Sequence, residues 1–164
     1  MTTPIDIFAE TNPAFCAYAI HSFASAYEEA NSDLASVLLS YVVLPLALSA
    51  EFVPTFERTN KATGLLTWID RSPEITIGLH SRINSTLRIT KDAISFGCLC
   101  GIITLGSDAK LRANPIRKNN KIKKINLSTS NEAHLSIKRA ERLGIWFGNI
   151  NSTKAVFSIL GLSL

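Results

Sequence analysis

Apolar residues near the start of the chain recur at the spacing of an α-helix. Asn12 and Pro13 suit the cap and first turn of a helix, and the residues that follow are apolar every three or four positions. A second cap candidate, Ser32, precedes an uncharged run over residues 34–50. The pattern predicts two consecutive helices. Pro45 is expected to end or kink the second, because proline has no amide hydrogen to donate.

The pattern in the middle of the chain predicts a helix, a second helix and a β-hairpin in that order. The triplets Ser-Pro-Glu at 72–74 and Thr-Lys-Asp at 90–92 each have the residues of a helix start. Gly101 suits a left-handed helix end, residues 102–105 favour a strand, and residues 106–109 carry turn chemistry ahead of a return strand. This is the layout of a winged helix-turn-helix, in which the second helix is the recognition helix and the hairpin is the wing.

Polar and apolar positions separate again in the last third of the chain. Residues 114–130 are polar and basic, which is typical of an exposed loop. Ser130 or Asn131 is then a cap candidate for a long helix, and a final short helix from Ser152 ends at Gly161. The long helix is expected to bury an apolar face. The cations that it is expected to expose are Lys138, Arg139 and Arg142.

These elements predict a mainly α fold with a small β-hairpin, in one compact helical domain that contains a winged-helix-like unit. The chain of 164 residues is long enough for one core, and two are not expected. Its predicted parts are an acidic, apolar helical hairpin over 1–57, helices with the winged-helix-like hairpin over 58–113, a basic loop over 114–130 and C-terminal helices over 131–164.

Charge is divided unevenly along the chain. Residues 1–57 hold seven acidic residues and no Lys or Arg, so their net charge is −7. Residues 58–164 hold all 17 basic residues and six acidic ones, so their net charge is +11. The whole chain is also poor in charge, at 18% against about a quarter in a typical domain. Both features indicate a protein whose surface is covered in part by other macromolecules.

A basic segment is the best candidate for contact with nucleic acid. Residues 110–124 hold seven cations in fifteen positions, enough to contact several phosphates. A solvated loop, or a loop that meets an acidic partner, is the alternative explanation. The candidate contacts are Lys110, Arg112, Arg117, Lys118, Lys121, Lys123 and Lys124.

The sequence contains no constellation typical of catalysis or metal binding. Its three histidines fall in three different predicted helices, and it has no Gly-rich phosphate loop, HExxH or GxSxG motif. Cys98 and Cys100 are two residues apart on a predicted helix, so their sulfur atoms leave opposite sides and do not share a zinc ion. We expect both, like Cys16, to be small buried residues. The expected protein is not an enzyme and holds no cofactor or metal.

The uncharged run over residues 34–50 is expected to be a buried helix. Its seventeen residues fall short of the roughly twenty that cross a bilayer, and it contains three serines and Pro45. The N-terminus lacks the basic region of an export signal, and three cysteines are an odd number for a disulfide framework. We therefore expect a cytoplasmic protein with no membrane partner.

Two predicted helices carry candidate contacts to a partner protein. The helix after residue 130 combines Arg and Trp, which are residue types that anchor protein interfaces. The helix before Pro45 is uncharged on all sides, which fits burial by the rest of the chain or by a partner. Core packing is the alternative for Trp146. The candidate interface residues are Leu38, Tyr41, Val42, Arg139, Arg142 and Trp146.

Four short motifs mark the chain from near its start to near its end. They are Asn-Pro-Ala-Phe-Cys at 12–16, Val-Leu-Pro-Leu-Ala-Leu at 43–48, Ala-Ile-Ser-Phe-Gly at 93–97 before Gly-Ile-Ile-Thr-Leu at 101–105, and Arg-Ala-Glu-Arg-Leu-Gly-Ile-Trp-Phe at 139–147 before Leu-Gly at 160–161. In this order and spacing, they make the sequence resemble the middle component of three-component ABC ATPase systems. The chain departs from the family pattern over residues 115–130, where the lysine-rich segment is longer.

The resemblance implies a bacterial conflict system similar to the Lamassu type of anti-phage and anti-plasmid defence. The middle subunit of such a system is non-enzymatic, and it binds an SMC- or Rad50-like ABC ATPase and an effector, often a nuclease. It is expected to help hold the effector inactive until the ATPase engages foreign or damaged DNA ends, and DNA contact through the complex belongs to this expectation. The alternative, which follows from the residues alone, is a stand-alone winged-helix regulator that binds DNA.

Overall fold

The computed structural model describes residues 11–116 and 131–164, which form six α-helices, one 3-10 helix and a small antiparallel sheet. The helices are α1 (Pro13–Ala30), α2 (Val37–Leu48), the 3-10 helix (Ala50–Phe56), α3 (Leu65–Arg71), α4 (Ile75–Leu99), α5 (Asn131–Ile150) and α6 (Thr153–Ile159). The strands are β1 (Ala35–Ser36), β2 (Ile103–Leu105) and β3 (Lys110–Ala113). The predicted fold class, mainly α with a small β element, is confirmed.

Helix α1 begins where the sequence predicts, and α2 does not. The Asn12 side chain accepts hydrogen bonds from the amides of Ala14 at 2.9 Å and Phe15 at 3.3 Å, so it caps α1 as predicted. The cap of α2 is Ser36, whose Oγ accepts from the Leu38 amide at 3.3 Å. The prediction of a cap at Ser32 is therefore wrong, since the two residues before α2 pair as β1 instead.

Pro45 does not end α2, which continues to Leu48. The proline removes one hydrogen bond, the one that an amide at this position would donate to the carbonyl four residues earlier, but the turn that follows it still closes. Its carbonyl still accepts from the Ser49 amide at 3.2 Å. Of the two expected outcomes, an end or a kink at the proline, the first is therefore wrong.

One long helix occupies the stretch where the sequence predicted two. Helix α4 runs without a break from Ile75 to Leu99, so the helix start predicted at Thr90 is wrong. Thr90 is fully buried, and its hydroxyl donates to the carbonyl of Thr86 at 3.1 Å. A threonine satisfied by the carbonyl four residues earlier lies comfortably inside a helix, although the same residue often caps one. Residues 75–99 therefore contain no helix-turn-helix.

The predicted hairpin is present and carries one additional strand. Gly101 has φ of +74°, the left-handed conformation that favours glycine, and it ends α4 as predicted. Strand β2 then pairs with β3 in antiparallel register, with Leu105 opposite Leu111. On the other side of β3, Ala35 of β1 also lies opposite Leu111, which gives the strand order β1-β3-β2. The two-residue β1 has too few positions to show an alternating pattern in the sequence.

Helix α1 lies at the centre of the packing, with its most extensive contact on α5. Two glycines of α5 make this contact close. A Cβ atom on Gly144 would clash with the backbone oxygen of Phe23, and one on Gly148 would lie only 2.9 Å from the Cβ of Ala30. Because interiors are close-packed, these two positions have no room for a side chain.

No single helix in residues 11–116 and 131–164 is long and apolar enough to cross a bilayer. Helix α2 and the 3-10 helix reach the required length and composition only when taken together, and they are bent by 86° with respect to each other.

Candidate docking surface

The Arg139 side chain is a structural anchor inside the molecule. It is 5% exposed, so the prediction that α5 exposes it is wrong. Its Nε donates to the Ala47 carbonyl at the end of α2 at 2.8 Å, and its Nη2 donates to Glu132 at 2.5 Å and to Ser136 at 2.9 Å. A buried guanidinium needs such partners, and here they come from α2 and from α5 itself.

The Trp146 side chain is also internal. It is fully buried, and its indole nitrogen donates to the Asn60 carbonyl at 3.0 Å. Its ring stacks on Phe56 at 6.2 Å between centroids and packs on Trp68 at 5.3 Å. Core packing, the alternative explanation for this residue, therefore accounts for it, and a partner has no access to its ring.

Arg142 lies between the interior and the surface. Its Nη1 donates to the Thr59 hydroxyl at 2.8 Å and, less closely, to the Phe56 carbonyl at 3.4 Å. Burial lowers the pKa of this guanidinium, and the nearby positive charge of Arg139 lowers it further. With Arg139 and Trp146, it ties the segment from the end of α2 to Asn60 onto α5.

On α2, the structure separates the three candidate interface residues. Leu38 is 44% exposed, and Tyr41, one turn further along, is partly exposed. Val42 is 1% exposed and belongs to the core, so it is not available to a partner. Successive residues of an α-helix are about 100° apart around its axis, so Tyr41 and Val42 lie on different sides of α2, with Leu38 between them.

Helix α4 completes an exposed surface beside Leu38 and Tyr41. Leu87 is 45% exposed, and it lines a shallow groove of about 650 Å³ together with Tyr41, Arg88, Lys91 and Asp92. Arg88 is almost fully exposed, and the one ion pair that it forms within residues 11–116 and 131–164, to Asp92, is long at 3.9 Å. The residues Leu38, Tyr41, Leu87, Arg88 and Lys91 are called the α2/α4 surface below.

The sequence analysis missed the α4 part of this surface. The apolar stripe that starts at Ile75 includes Leu79 and Leu87, and only its first part is buried. The helix break wrongly expected at 90–92 hid the fact that Leu87 and Lys91, one turn apart, share a face of a single helix. The signal that could have identified this part of the surface is an apolar stripe that runs along one continuous helix and is exposed over its later part.

The candidate nucleic-acid contacts are only partly within the described residues. Lys110 of β3 forms an ion pair with Asp33 at 2.5 Å. The hydrogen bond from Lys110 lowers the pKa of Asp33, and the same bond raises the pKa of Lys110. Arg112 is exposed on β3. The other predicted contacts, Arg117, Lys118, Lys121, Lys123 and Lys124, lie outside the described residues.

The family comparison agrees with the motifs noted in the sequence. The family model of the ABC-three component (ABC-3C) system Middle Component 3 matches residues 6–164. The chain belongs to this family. No curated protein and no solved structure matches it. A middle component of a three-component system has partner subunits, so a Middle Component 3 protein needs surfaces for them.

Within this Middle Component 3 chain, the motif at 139–147 is explained by internal contacts. Arg139, Arg142 and Trp146 hold neighbouring segments, and Gly144 allows the approach of α1. In this chain the segment 139–147 therefore serves the fold, and the more exposed α2/α4 surface is the stronger candidate for docking.

The cysteines of this Middle Component 3 chain are placed differently from one another. Cys16 is buried in α1, as expected. Cys98 and Cys100 are exposed, so the prediction that they are buried is wrong. Gly97 faces Ile103 and Ala17 at the inner side of α4, and the residues that follow turn outward. Among residues 11–116 and 131–164, no group of three or more His, Cys, Asp or Glu could hold a metal ion.

Proposed function

We propose that this protein is a non-catalytic subunit that bridges an SMC- or Rad50-like ABC ATPase and an effector such as a nuclease. The complex would act in bacterial defence against phages and plasmids, in the manner of the Lamassu type. Membership of the Middle Component 3 family supports an accessory role with partner subunits. The observation that carries the proposal is the α2/α4 surface, which combines exposed apolar residues with cations.

The composition of the α2/α4 surface is that of a docking site. Leu38 and Leu87 are large apolar residues that are nearly half exposed, and Tyr41 lies in the groove beside Leu87. Interfaces commonly combine an apolar centre with aromatic and Arg side chains, and burial of the apolar atoms supplies most of the binding energy. Arg88 and Lys91 favour a partner with acidic residues around its own apolar patch.

Two of the three described histidines, His21 and His80, contact neutral groups in a way that favours binding over catalysis as the function. The Nε2 atom of His21 contacts the Asn114 carbonyl at 2.7 Å, which fixes the ring against the end of β3. The Nδ1 atom of His80 contacts the Asn84 side chain at 3.3 Å on the exposed side of α4. Neither pairs with a nucleophilic hydroxyl or thiol in the way a catalytic base does.

Co-purification tests the proposal. The tagged protein is expressed together with the ABC ATPase and the effector of the same system, as wild type and as Leu38→Asp with Leu87→Asp. We expect the double variant to retain at least about tenfold less ATPase or effector, because a charge replaces apolar contact on each helix. Its melting temperature should stay close to that of the wild type, since both side chains are exposed.

Leu66→Asp is the matched control. Leu66 is 57% exposed on α3, which packs on the 3-10 helix, α5 and α6 and not on the α2/α4 surface. We expect it to bind both subunits as the wild type does. The proposal is contradicted if the wild-type protein retains neither subunit, or if the double variant retains as much as the control.

The structure gives less support to a stand-alone winged-helix DNA-binding regulator. That function needs a separate recognition helix, and residues 75–99 form one continuous helix that also packs on α1 and α2. Salt-dependent binding of duplex DNA by the isolated chain would favour this alternative over the bridging role.

A further inference from the structure

A second pocket lies between the 3-10 helix and α5, on a part of the molecule that the α2/α4 surface does not reach. Its volume is about 230 Å³. Its apolar lining consists of Val53, Phe56 and Leu135, and its cationic lining consists of Lys138, Arg139 and Arg142. Leu135 is 41% exposed, so the apolar lining is open to a ligand.

Of the three cations that line this pocket, Arg142 is the one that forms no ion pair with a carboxylate of the described residues. Glu132 pairs with Arg139 at 2.5 Å, and Glu141 pairs with Lys138 at 3.1 Å. No carboxylate of the described residues forms an ion pair with Arg142, which bonds only neutral groups, the Thr59 hydroxyl and the Phe56 carbonyl. Glu57 also lines the pocket, is exposed and forms no ion pair with a described residue.

The guanidinium of Arg142 is both fixed and partly desolvated. The bond to Thr59 at 2.8 Å positions one nitrogen, so little side-chain freedom remains to be lost on binding. Burial and the charge of Arg139 both disfavour an unpaired cation at this position. A carboxylate from outside the chain would offset that cost, since Arg binds carboxylates through two parallel hydrogen bonds.

We propose that this pocket binds an Asp or Glu side chain from an apolar segment of a partner subunit. The carboxylate pairs with Arg142, and an adjacent apolar side chain packs on Leu135 and Val53. The inference rests on the proposed function, because it requires a partner subunit, and it adds a second docking site with a defined chemistry.

A nucleic-acid phosphate fits the pocket less well than a carboxylate does. Surfaces that bind a nucleic-acid backbone are strongly basic, whereas three of the eight residues that line this pocket are apolar.

Synthetic peptides that cover the sequences of the ABC ATPase and the effector of the same system test the inference. Overlapping peptides are immobilised and probed with the full-length protein. We expect the bound peptides to carry Asp or Glu next to an apolar residue, and replacement of that acid by its amide to weaken binding about tenfold. Arg142→Gln should weaken binding by a similar factor, and Arg142→Lys should weaken it less.

Two further variants separate binding from folding. Leu135→Glu changes an exposed residue that lines the pocket and replaces its apolar contact with a negative charge, so it should block the acidic peptides while the melting temperature stays near that of the wild type. Arg71→Gln is the matched control, because Arg71 is exposed and also donates to a backbone carbonyl, that of Arg58 at 3.4 Å. We expect it to bind as the wild type does.

The outcomes distinguish this inference from the proposed function. The pocket inference alone is overturned if Leu38→Asp with Leu87→Asp abolishes subunit binding while Arg142→Gln and Leu135→Glu bind the peptides normally. It is also overturned if duplex DNA binds through Arg142 and no acidic peptide does. If neither the intact subunits nor any of their peptides bind the wild-type protein, both the inference and the proposed function fail.

Discussion

The α5 side of the molecule and the α2/α4 surface use similar residues in opposite ways. On α5, Arg139 and Trp146 are buried and bonded to backbone carbonyls of other segments. On the α2/α4 surface, Tyr41 is partly exposed and Arg88 is almost fully exposed, and the one ion pair that Arg88 forms with a described residue is long. Arg and aromatic residues thus hold the fold together in one region and are available to a partner in the other.

The comparison shows that residue type alone does not identify a docking site. Arg139 and Trp146 have the residue types of an interface, but all their described polar contacts are internal. Leu38 and Leu87 look like ordinary core residues in the sequence, but each is nearly half exposed. Our proposals therefore rest on exposure together with a charge that lacks a close ionic partner among the described residues, and this criterion also selects Arg142 on α5.

Gly144→Ala should cause the largest loss of stability, because it separates α1 from α5. The new Cβ would meet the Phe23 backbone oxygen, and backbone does not move aside as a flexible side chain does. We expect a loss of about 3 kcal/mol in the free energy of unfolding, measured by urea denaturation.

Gly78→Ala is the matched control on the exposed side of α4. The nearest atom to its new Cβ is a Glu51 carboxylate oxygen at 3.7 Å, which is ordinary contact. The substitution should raise stability by up to about 1 kcal/mol through helix propensity. Equal effects at both glycines would contradict the close approach of α1 and α5.

Arg139→Met should be the next most destabilising change. It leaves the Ala47 carbonyl and the Ser136 hydroxyl without the guanidinium that they bind, while methionine retains much of the volume. The expected loss is about 2 kcal/mol in the free energy of unfolding. Arg88→Met on the α2/α4 surface should change stability by less than about 0.5 kcal/mol. A similar loss for the two variants would remove the distinction between the regions.

Ser40→Ala should stabilise the protein slightly. Ser40 lies on the buried side of α2, and within the described residues its Oγ is the one buried side-chain polar atom that lacks a hydrogen-bond partner. Removal of an unsatisfied hydroxyl should raise the free energy of unfolding by about 1 kcal/mol. A loss of stability in thermal or urea unfolding would show that the hydroxyl has a partner after all.

Loss of the ion pair between Asp33 and Lys110 should have the smallest effect on stability, and this effect should be visible mainly in how stability depends on pH. The hydrogen bond from Lys110, and next that from the Leu34 amide, lower the pKa of Asp33 below its ordinary value of 3.8. A carboxyl group with a lowered pKa stabilises the folded state above its ordinary pKa, and this contribution is lost as the pH falls through the folded value.

As the pH is lowered below about 3.8, the melting temperature of Asp33→Asn should therefore fall less steeply than that of the wild type. Thermal unfolding at a series of acidic pH values measures this difference. Both side chains lie at the surface, so the difference at neutral pH should be small. An unchanged acid profile would show that the pair does not persist in solution.

Local signals in the sequence predicted much of the fold. Asn12 with Pro13 starts α1, Gly101 ends α4 ahead of the predicted hairpin, and Ser152 caps the last helix before Gly161. Each of these features is decided by neighbours within a few residues, through a cap or a left-handed turn.

Features that depend on distant contacts were not predictable from local pattern. Thr90 looks like a cap, but it lies inside a helix because packing buries it completely. Arg139 is buried because the Ala47 carbonyl, 92 residues away in the chain, accepts its Nε. The one local hint is the row Glu132, Ser136 and Arg139, which places an acid and a hydroxyl on the same side of α5 as the cation.

Hydroxyl-radical footprinting of the free protein and of its complex with the ABC ATPase and effector tests the central claim most directly. The method measures the oxidation rate of individual side chains, and Leu38, Tyr41 and Leu87 are accessible in the free chain. We predict that their oxidation falls sharply in the complex while that of Leu66 on α3 is unchanged. Equal oxidation of the three residues in the free and complexed protein would contradict docking at the α2/α4 surface.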